Sequence, residues 1–165
     1  MKEGSTAGKK VKGRKRHIVV DIMGNLLAVV VHAANIHDTK SGIMSAAKAC
    51  EYYPTIKKFC ADAGYRKTFE AAVSEKLGLC VDIPARIKPE WAVLHKRWVV
   101  ERTFAWLNGF RRLAKDYEVS TSSEEANVVI SHLYILLKRL RIQVLTFHVN
   151  YIMGMSQPIA VGLYY

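Results

Sequence analysis

Two apolar runs joined by a tight turn constrain the fold of this chain more than any other feature. The first run covers residues 17–21 (His-Ile-Val-Val-Asp) and the second covers residues 26–32 (Leu-Leu-Ala-Val-Val-Val-His). Both runs are rich in β-branched residues, and Met23-Gly24-Asn25 between them contains residue types that tight turns prefer. The pattern predicts an antiparallel hairpin, and we interpret Asp21 as a residue of its turn.

Strand and helix patterns alternate after the hairpin. Residues 38–53 have helical spacing, with Asp38 or Thr39 as the N-cap, and Pro54 ends the helix. The following segments predict a strand, a helix and a strand at residues 55–61, 67–77 and 79–83. This order predicts an α/β layer fold that contains a βαβ unit.

The second half of the chain has a helical pattern. Residues 91–113 form one predicted helix, or two that join near residues 94–96. A last helix begins at a Ser122-x-x-Glu125 capping box. Its apolar stripe is predicted to pack on the core and consists of Ala126, Val129, Ile130, Leu133, Leu137 and Leu140.

Composition narrows the class of partner. The formal net charge is +11, which favours nucleic acid as a partner and, second, an acidic membrane surface. Residues 1–17 are basic and glycine-containing, and we expect them to be flexible. Residues 143–165 lack Lys, Arg, Asp and Glu but contain Gly, Pro, Asn and Gln, so this tail is a poor membrane span.

Cysteine usage indicates a reducing compartment. The chain has three cysteines, and their spacing is typical of neither a zinc site nor a redox pair. Cys60 and Cys80 lie in apolar stretches, so we expect them to pack as small core residues. A protein of a reducing, cytosolic compartment is therefore expected.

Two carboxylates stand out by position. Asp62 comes where a predicted buried strand gives way to a glycine-containing loop, which is where α/β folds present functional side chains. Glu101 shares one helical stripe with the polar or small residues Arg97, Ala105, Asn108 and Arg112. Asp62 as an ordinary turn residue, and Glu101 paired with Arg97, are the simpler alternatives.

Three motifs resemble one family. Asp62-Ala-Gly-Tyr-Arg66 resembles the second-aspartate motif of bacterial DDE transposases of the insertion-sequence-five-like group. The segment 97–112 (RWVVERTFAWLNGFRR) resembles their glutamate motif, and Lys115-Asp-Tyr-Glu118 continues it. Gly13-Arg-Lys-Arg-His17, with the hairpin that follows, resembles the segment before their second strand. The resemblance covers about residues 8–142.

The resemblance implies a fold and a chemistry. It implies an RNase H-like catalytic domain at residues 18–142, between the basic segment and the tail. It also implies DNA strand cleavage and transfer by two Mg ions, with Asp62 and Glu101 as catalytic residues and metal ligands. The residues expected to contact DNA are Lys12, Arg14, Lys15, Arg16, Arg97, Arg102, Arg111 and Arg112. Leu94 and Asn108 depart from the family pattern around Glu101.

The largest departure is the first aspartate. The family carries it on a strand before the basic segment, and here no apolar strand with an aspartate precedes Gly13. The candidates for a substitute are Asp21, which we interpret as a turn residue, and Asp38, which we interpret as a helix cap. The chain is therefore expected to be a transposase fragment of the bacterial cytoplasm, associated with the nucleoid, that does not transpose DNA unaided. It is interpreted as a truncated, decayed copy, as the downstream part of a split transposase whose upstream part is its partner, or as a domain whose partner supplies the missing strand. A homodimer through an open strand edge is also expected. A non-catalytic DNA-binding fragment that modulates transposition is the alternative.

Overall fold

The computed structural model describes residues 4–5, 12–65, 67–83 and 95–152 of this mixed α/β protein. The chain divides into two compact units, residues 1–132 and residues 133–165. All strands of the described residues lie in the first unit. They form a three-stranded antiparallel sheet and a separate two-stranded parallel sheet.

The predicted hairpin is confirmed. Strands β2 (Lys12–Val20) and β3 (Leu26–Ala33) pair antiparallel, and the short strand β1 (Gly4–Ser5) pairs with the start of β2. The turn role of Asp21 is also confirmed, because its Oδ1 accepts from the backbone N–H groups of Met23 and Asn25, both at 2.8 Å. Gly24 has φ +84°, a conformation that glycine adopts without strain.

Strand β2 begins earlier than predicted. It starts at Lys12, so the expectation of a flexible segment was wrong for residues 12–17. Two kinds of contact order this segment. The backbone of β2 pairs with β3, and arginine side chains of β2 donate to backbone carbonyls elsewhere in the same unit. Such contacts across long sequence separations leave no local signal.

Helix α1 (Asp38–Tyr52) follows the hairpin. Its N-cap is His37, whose Nδ1 accepts from the Thr39 N–H at 3.4 Å. The prediction of Asp38 or Thr39 as the N-cap was therefore wrong. Asp38 is the first helical residue, and its carboxylate pairs with Lys15 of β2 at 2.7 Å. The helix ends before Pro54, as expected.

A parallel βαβ unit comes next and confirms the predicted order. It consists of β4 (Lys58–Cys60), a 3-10 turn (Ala63–Tyr65), α2 (Thr68–Leu77) and β5 (Cys80–Asp82). Its core cluster contains Ala46, Phe59, Phe69 and Val73. Cys60 and Cys80 are exposed, so their prediction as core residues was wrong. Side chains alternate across a strand, and Phe59 and Val81 take the inward positions of β4 and β5.

The glutamate segment forms two helices. Helix α3 (His95–Asn108) is followed by the single turn α4 (Arg111–Ala114). The break falls at Gly109 and Phe110, whose N–H groups donate to the carbonyls three residues back, at 3.3 Å and 3.0 Å. Arg112 therefore does not continue the α3 stripe that carries Glu101. The alternative joint, at residues 94–96, lies partly outside the described residues.

Helix α5 (Thr121–Ile152) has its N-cap two residues before the one that the capping box predicts. Ser120 is the N-cap, because its Oγ accepts from the Ser123 N–H at 3.0 Å. The Ser122–Glu125 capping box was therefore a wrong prediction. Glu125 instead accepts from the Val31 N–H at 2.9 Å and pairs with Lys48 at 2.7 Å, which covers the outer edge of β3.

Within the first unit, the apolar stripe of α5 does not face the core, contrary to the prediction. Within the first unit the buried side chains of this helix are Glu124, Val128, Ser131 and His132. Polar groups of the hairpin explain this orientation, since β2 supplies arginines to Glu124 and the Leu26 N–H donates to His132 Nε2 at 3.0 Å. The stripe residues are exposed: Ala126, Val129, Ile130, Leu133, Leu137 and Leu140. None of the helices in the described ranges has a segment long and apolar enough to cross a membrane.

Candidate active site and DNA-contact residues

Asp62 lies at the turn that leaves β4. Its side chain is exposed, and its backbone carbonyl accepts from the Tyr65 N–H at 2.9 Å, which closes the 3-10 turn. The neighbouring Ala61 N–H donates to the carbonyl of Asp82 at 3.1 Å, so β5 holds the base of the turn. The structure therefore presents the Asp62 carboxylate at the end of an ordered strand.

Tyr65 links this turn to the hairpin through two histidines. Its hydroxyl lies 2.9 Å from His17 Nε2, and His17 Nδ1 lies 3.0 Å from His32 Nε2. His32 Nδ1 lies 2.9 Å from the carbonyl oxygen of Ala33. Sequence reasoning named Tyr65 within a motif and missed both histidines, because no sequence spacing indicates a contact between β2 and a turn 48 residues away.

Burial sets the protonation of this chain of polar groups. Burial raises the pKa of the Tyr65 hydroxyl, and the nearby carboxylates of Asp38 and Asp62 raise it further. Burial also lowers the pKa of His17, with a smaller contribution in the same direction from His32. Neutral tyrosine and neutral His17 are therefore the favoured forms near neutral pH.

Asp38 and Asp21 do not join Asp62 as a third acidic group. The hydrogen bond from Lys15 holds the pKa of Asp38 below its ordinary value and keeps that carboxylate paired. Both oxygens of Asp21 accept hydrogen bonds within the hairpin turn. These two positions were the candidates for a substitute first aspartate, and both serve local structure.

Glu101 lies on the exposed side of α3, and the opposite side anchors that helix. Thr103 and Leu107 are buried, at 0% and 1% exposure. Thr103 Oγ1 donates to the Val99 carbonyl within α3 at 2.9 Å and lies 3.4 Å from the Gly24 carbonyl oxygen. A Cβ on Gly24 would lie 3.0 Å from Thr103 Oγ1. Because Gly24 has no side chain, the hairpin turn packs closely against α3, the helix that carries Glu101.

Arg102 is enclosed by two indole rings on the same helix. Its guanidinium carbon lies 4.7 Å from the ring centroids of both Trp98 and Trp106, and Nη2 donates to the Met23 carbonyl at 3.0 Å. These contacts hold a cation next to Glu101 in sequence. Trp98 is 46% exposed, so the stack reaches the surface.

Arg14 and Arg16 bind a buried carboxylate. Glu124 is 2% exposed, and its two oxygens pair with Arg16 Nε and with Arg14 Nη1, the latter at 3.2 Å. Arg16 also donates to the Leu113 carbonyl at 2.7 Å, and Arg14 donates to the Glu118 carbonyl at 2.7 Å. This structural role was missed by sequence reasoning, which assigned both arginines to DNA.

The other cations differ in their surroundings. Lys15 pairs with Asp38. Arg111 is exposed on α4, and Arg112 is 70% exposed beside Glu118, with Nε 3.2 Å from Oε1. Lys12 and Arg97 lie in β2 and α3, but their side chains are outside the part that the structure describes.

Two of the carboxylates described above are chemically suited to a divalent metal. Carboxylates such as Asp62 and Glu101 are the hard oxygen ligands that Mg prefers. However, no group of three or more His, Cys, Asp or Glu residues that could hold a metal ion occurs within the described ranges. Asp62 follows a strand of the parallel sheet, whereas Glu101 lies on the helix that packs against β2. The described residues alone therefore do not form a metal centre.

The sequence comparisons identify the family. Residues 1–136 match the family described as "Transposase DDE domain", and the chain therefore belongs to it. This match includes Asp62, the hairpin, α3 and the start of α5.

A curated relative agrees with this family. The chain is 32% identical over 118 residues to the protein named "Putative transposase for insertion sequence element IS402" from Burkholderia cepacia. The alignment covers 64% of this chain and 54% of that relative, so the chain spans about half the length of the relative it matches. No solved structure matches.

Proposed function

We propose that this chain supplies catalytic residues for DNA strand cleavage and strand transfer, as part of an RNase H-like DDE transposase. The observation that carries the proposal is the placement of two exposed carboxylates within the family match, Asp62 directly after β4 and Glu101 on the anchored helix α3. The order of elements supports it, since a glutamate helix follows an antiparallel hairpin and a parallel βαβ unit. The hairpin, the βαβ unit and α3 each contain part of one of the three motifs that resemble the family.

The two carboxylates are proposed as the second and third acidic residues of the catalytic set. In this family a bound divalent metal polarises the phosphodiester and stabilises the leaving oxygen. Because the described residues do not assemble a metal centre, no reaction step is routed through a metal. What the chain provides is an ordered position for each carboxylate, one fixed by β4 and β5 and the other by Thr103.

Contacts with DNA are proposed for the cations that remain at the surface. Arg111 and Arg112 are the exposed arginines of α4, and Lys15 is partly exposed on β2. Three further cations are kept in the proposed set on the family resemblance: Lys12 and Arg97, whose side chains lie outside the described part of the structure, and Arg102, which is stacked between Trp98 and Trp106. Arg14 and Arg16 are assigned to the Glu124 pair instead, because their guanidinium groups already bind protein acceptors.

DNA nicking tests the catalytic proposal. The purified chain is incubated with Mg or Mn and duplex DNA that carries the terminal sequences flanking its gene. We expect nicks that disappear in Asp62→Asn and in Glu101→Gln. Glu70→Gln and Glu75→Gln, at exposed positions of α2, serve as matched controls and should nick like the unmodified chain. Nicking that persists in the Asp62 and Glu101 variants would contradict the proposal.

Binding to DNA without cleavage is the second candidate function. It is favoured by the net charge of +11 and by the lack of a three-residue acidic cluster within the described ranges. The same variants distinguish the two candidates. A gel-shift signal that is unchanged in Asp62→Asn and Glu101→Gln, with no nicks in any sample, would support the binding function and exclude the catalytic one for this chain.

A further inference from the structure

The donors and acceptors of the Tyr65–His17–His32 chain follow from its last contact. The carbonyl oxygen of Ala33 can only accept, so His32 Nδ1 must carry a hydrogen at the observed 2.9 Å. The Nε2 of neutral His32 is then bare and accepts from His17 Nδ1 across 3.0 Å. His17 Nε2 is bare in turn and accepts the Tyr65 hydroxyl proton across 2.9 Å. Every bond in the chain therefore has one direction.

The Tyr65 ring is also fixed by packing. A Cβ on Gly42 would lie 2.7 Å from the Tyr65 Cε1, so the absence of a side chain on α1 makes room for the ring. Phe69 contacts the Tyr65 ring edge-on, with centroids 5.2 Å apart at 70°. Packing and the hydroxyl bond thus hold the ring in one orientation, while its backbone N–H closes the turn on Asp62.

We propose that Tyr65, His17 and His32 are positioning residues for Asp62, acting as a one-directional chain of hydrogen bonds from the Asp62 turn to the carbonyl of Ala33. The proposal rests on the proposed catalytic role of Asp62 and assigns no contact with DNA to the three residues. These hydrogen bonds connect the Asp62 turn to the hairpin, because His17 and His32 lie on the paired strands β2 and β3. Burial lowers the pKa of His17 and raises the pKa of Tyr65. Both shifts are consistent with a neutral imidazole and a neutral hydroxyl in these bonds.

Nitrogen-15 NMR of the imidazole rings tests the direction of the chain. We expect both His17 and His32 as the Nδ1–H tautomer near neutral pH, whereas a neutral histidine side chain in water favours Nε2–H. Tyr65→Phe should leave His17 in the Nδ1–H form, because His32 Nε2 still accepts from it, and should shift the resonance of the bare His17 Nε2, which loses the Tyr65 hydroxyl as its donor. Tyr117→Phe, at a 55% exposed tyrosine, should change neither signal. His32 as the Nε2–H tautomer, or His17 signals unchanged by Tyr65→Phe, would overturn the proposal.

Amide hydrogen exchange tests the coupling to Asp62. Tyr65→Phe and His17→Leu should speed exchange of the Tyr65 amide, which bonds to the Asp62 carbonyl, by about five- to tenfold, the effect of losing one hydrogen bond. His17→Gln should restore slow exchange, because its amide offers one acceptor and one donor. Equal exchange in the Gln and Leu variants would contradict a role for hydrogen bonding.

Nicking kinetics then separate this proposal from the proposed function. Tyr65→Phe should lower kcat about tenfold and leave KM for DNA within about twofold, as expected for a misplaced catalytic group. If the unmodified chain does not nick DNA, the proposed catalysis fails while the tautomer and exchange results still decide whether the chain of bonds holds the turn. If nicking occurs and Tyr65→Phe leaves kcat unchanged, the positioning role is wrong.

Discussion

Single positions along β2 decide which cations face the protein and which face solvent. Arg14 and Arg16 alternate with Lys15, so the two arginines share one face of the strand and the lysine has the other. The arginine face meets Glu124, and the lysine face meets Asp38 at the start of α1. Three adjacent residues of one charge thus have two different functions.

Loss of the buried carboxylate should be costly. We expect Glu124→Gln to lower the free energy of unfolding by about 3 to 5 kcal/mol, because it leaves two partly buried arginines without their counter-charge. Asp38→Asn, at a carboxylate that is 55% exposed, should cost less than about 1 kcal/mol. Urea denaturation followed by circular dichroism measures both. Similar losses for the two variants would contradict a special role for Glu124.

Stability should fall on mild acidification because of His17. Its pKa is lowered from the ordinary 6.5 by burial first, then by His32 and Lys15, against an opposing effect of Asp38. Above pH 6.5 neither the folded nor the unfolded state protonates this ring, so its contribution to stability is complete. As the pH falls below that value the unfolded chain binds a proton that the folded chain resists, and stability decreases.

Denaturation at a series of pH values tests this prediction. The unmodified chain should lose more stability between about pH 7.5 and about pH 5.5 than His17→Gln does, since the variant has no titratable group at this position. Tyr65 also faces His17, but burial raises its pKa away from this range. Parallel curves for the two proteins would show that His17 does not titrate as expected.

At the scale of elements, the patterns that depend on near neighbours were predictable. The hairpin, the βαβ order and Asp62 at a strand end follow from β-branched runs, turn residues and strand ends, and Glu101 follows from helical spacing. The orientation of α5 was not predictable, because its apolar stripe has the spacing of a core-facing helix. The polar groups of β2 and β3 orient the helix instead, and the sequence holds no signal for contacts across 94 to 110 residues.

The N-terminus of α5 offers a direct comparison of two serines. We expect Ser120→Ala to lower the free energy of unfolding by about 1 kcal/mol, because it removes the acceptor of the Ser123 N–H. Ser122→Ala, at an exposed position inside the first turn, should change it by less than about 0.5 kcal/mol. Thermal denaturation of the two variants measures the difference. A larger loss of stability for Ser122→Ala would support the predicted capping box at Ser122 and contradict Ser120 as the N-cap.

At the scale of the whole molecule, the net charge of +11 does not show where positive charge is available. Lys48 and the two arginines of β2 are held by carboxylates within the first unit. Arg111 and Arg112 remain at the surface on α4. Under the proposed DNA binding, the number of phosphate contacts is therefore set by the distribution of the charge and not by its sum.

The salt dependence of DNA binding reports this distribution. In a plot of log affinity against log salt concentration, Arg111→Gln and Arg112→Gln should each reduce the magnitude of the slope by about one, because each removes one phosphate contact. Lys48→Met serves as the control, since its ammonium group already binds Glu125 and the Val29 carbonyl. Fluorescence anisotropy at several salt concentrations measures the slopes. An equal reduction in Lys48→Met would contradict the assignment.

The alternation along β2 also limits how this region can change. Inserting one residue just before Arg14, with the pairing of the rest of the hairpin kept, would change the charge and composition of the segment almost not at all. It would nevertheless move the β2 side chains that precede the insertion to the opposite face of the sheet, while Arg14 and the residues after it keep their faces. A deletion or insertion of two residues would preserve the faces and shift only the register. Length changes in multiples of two are therefore the ones that this strand should tolerate.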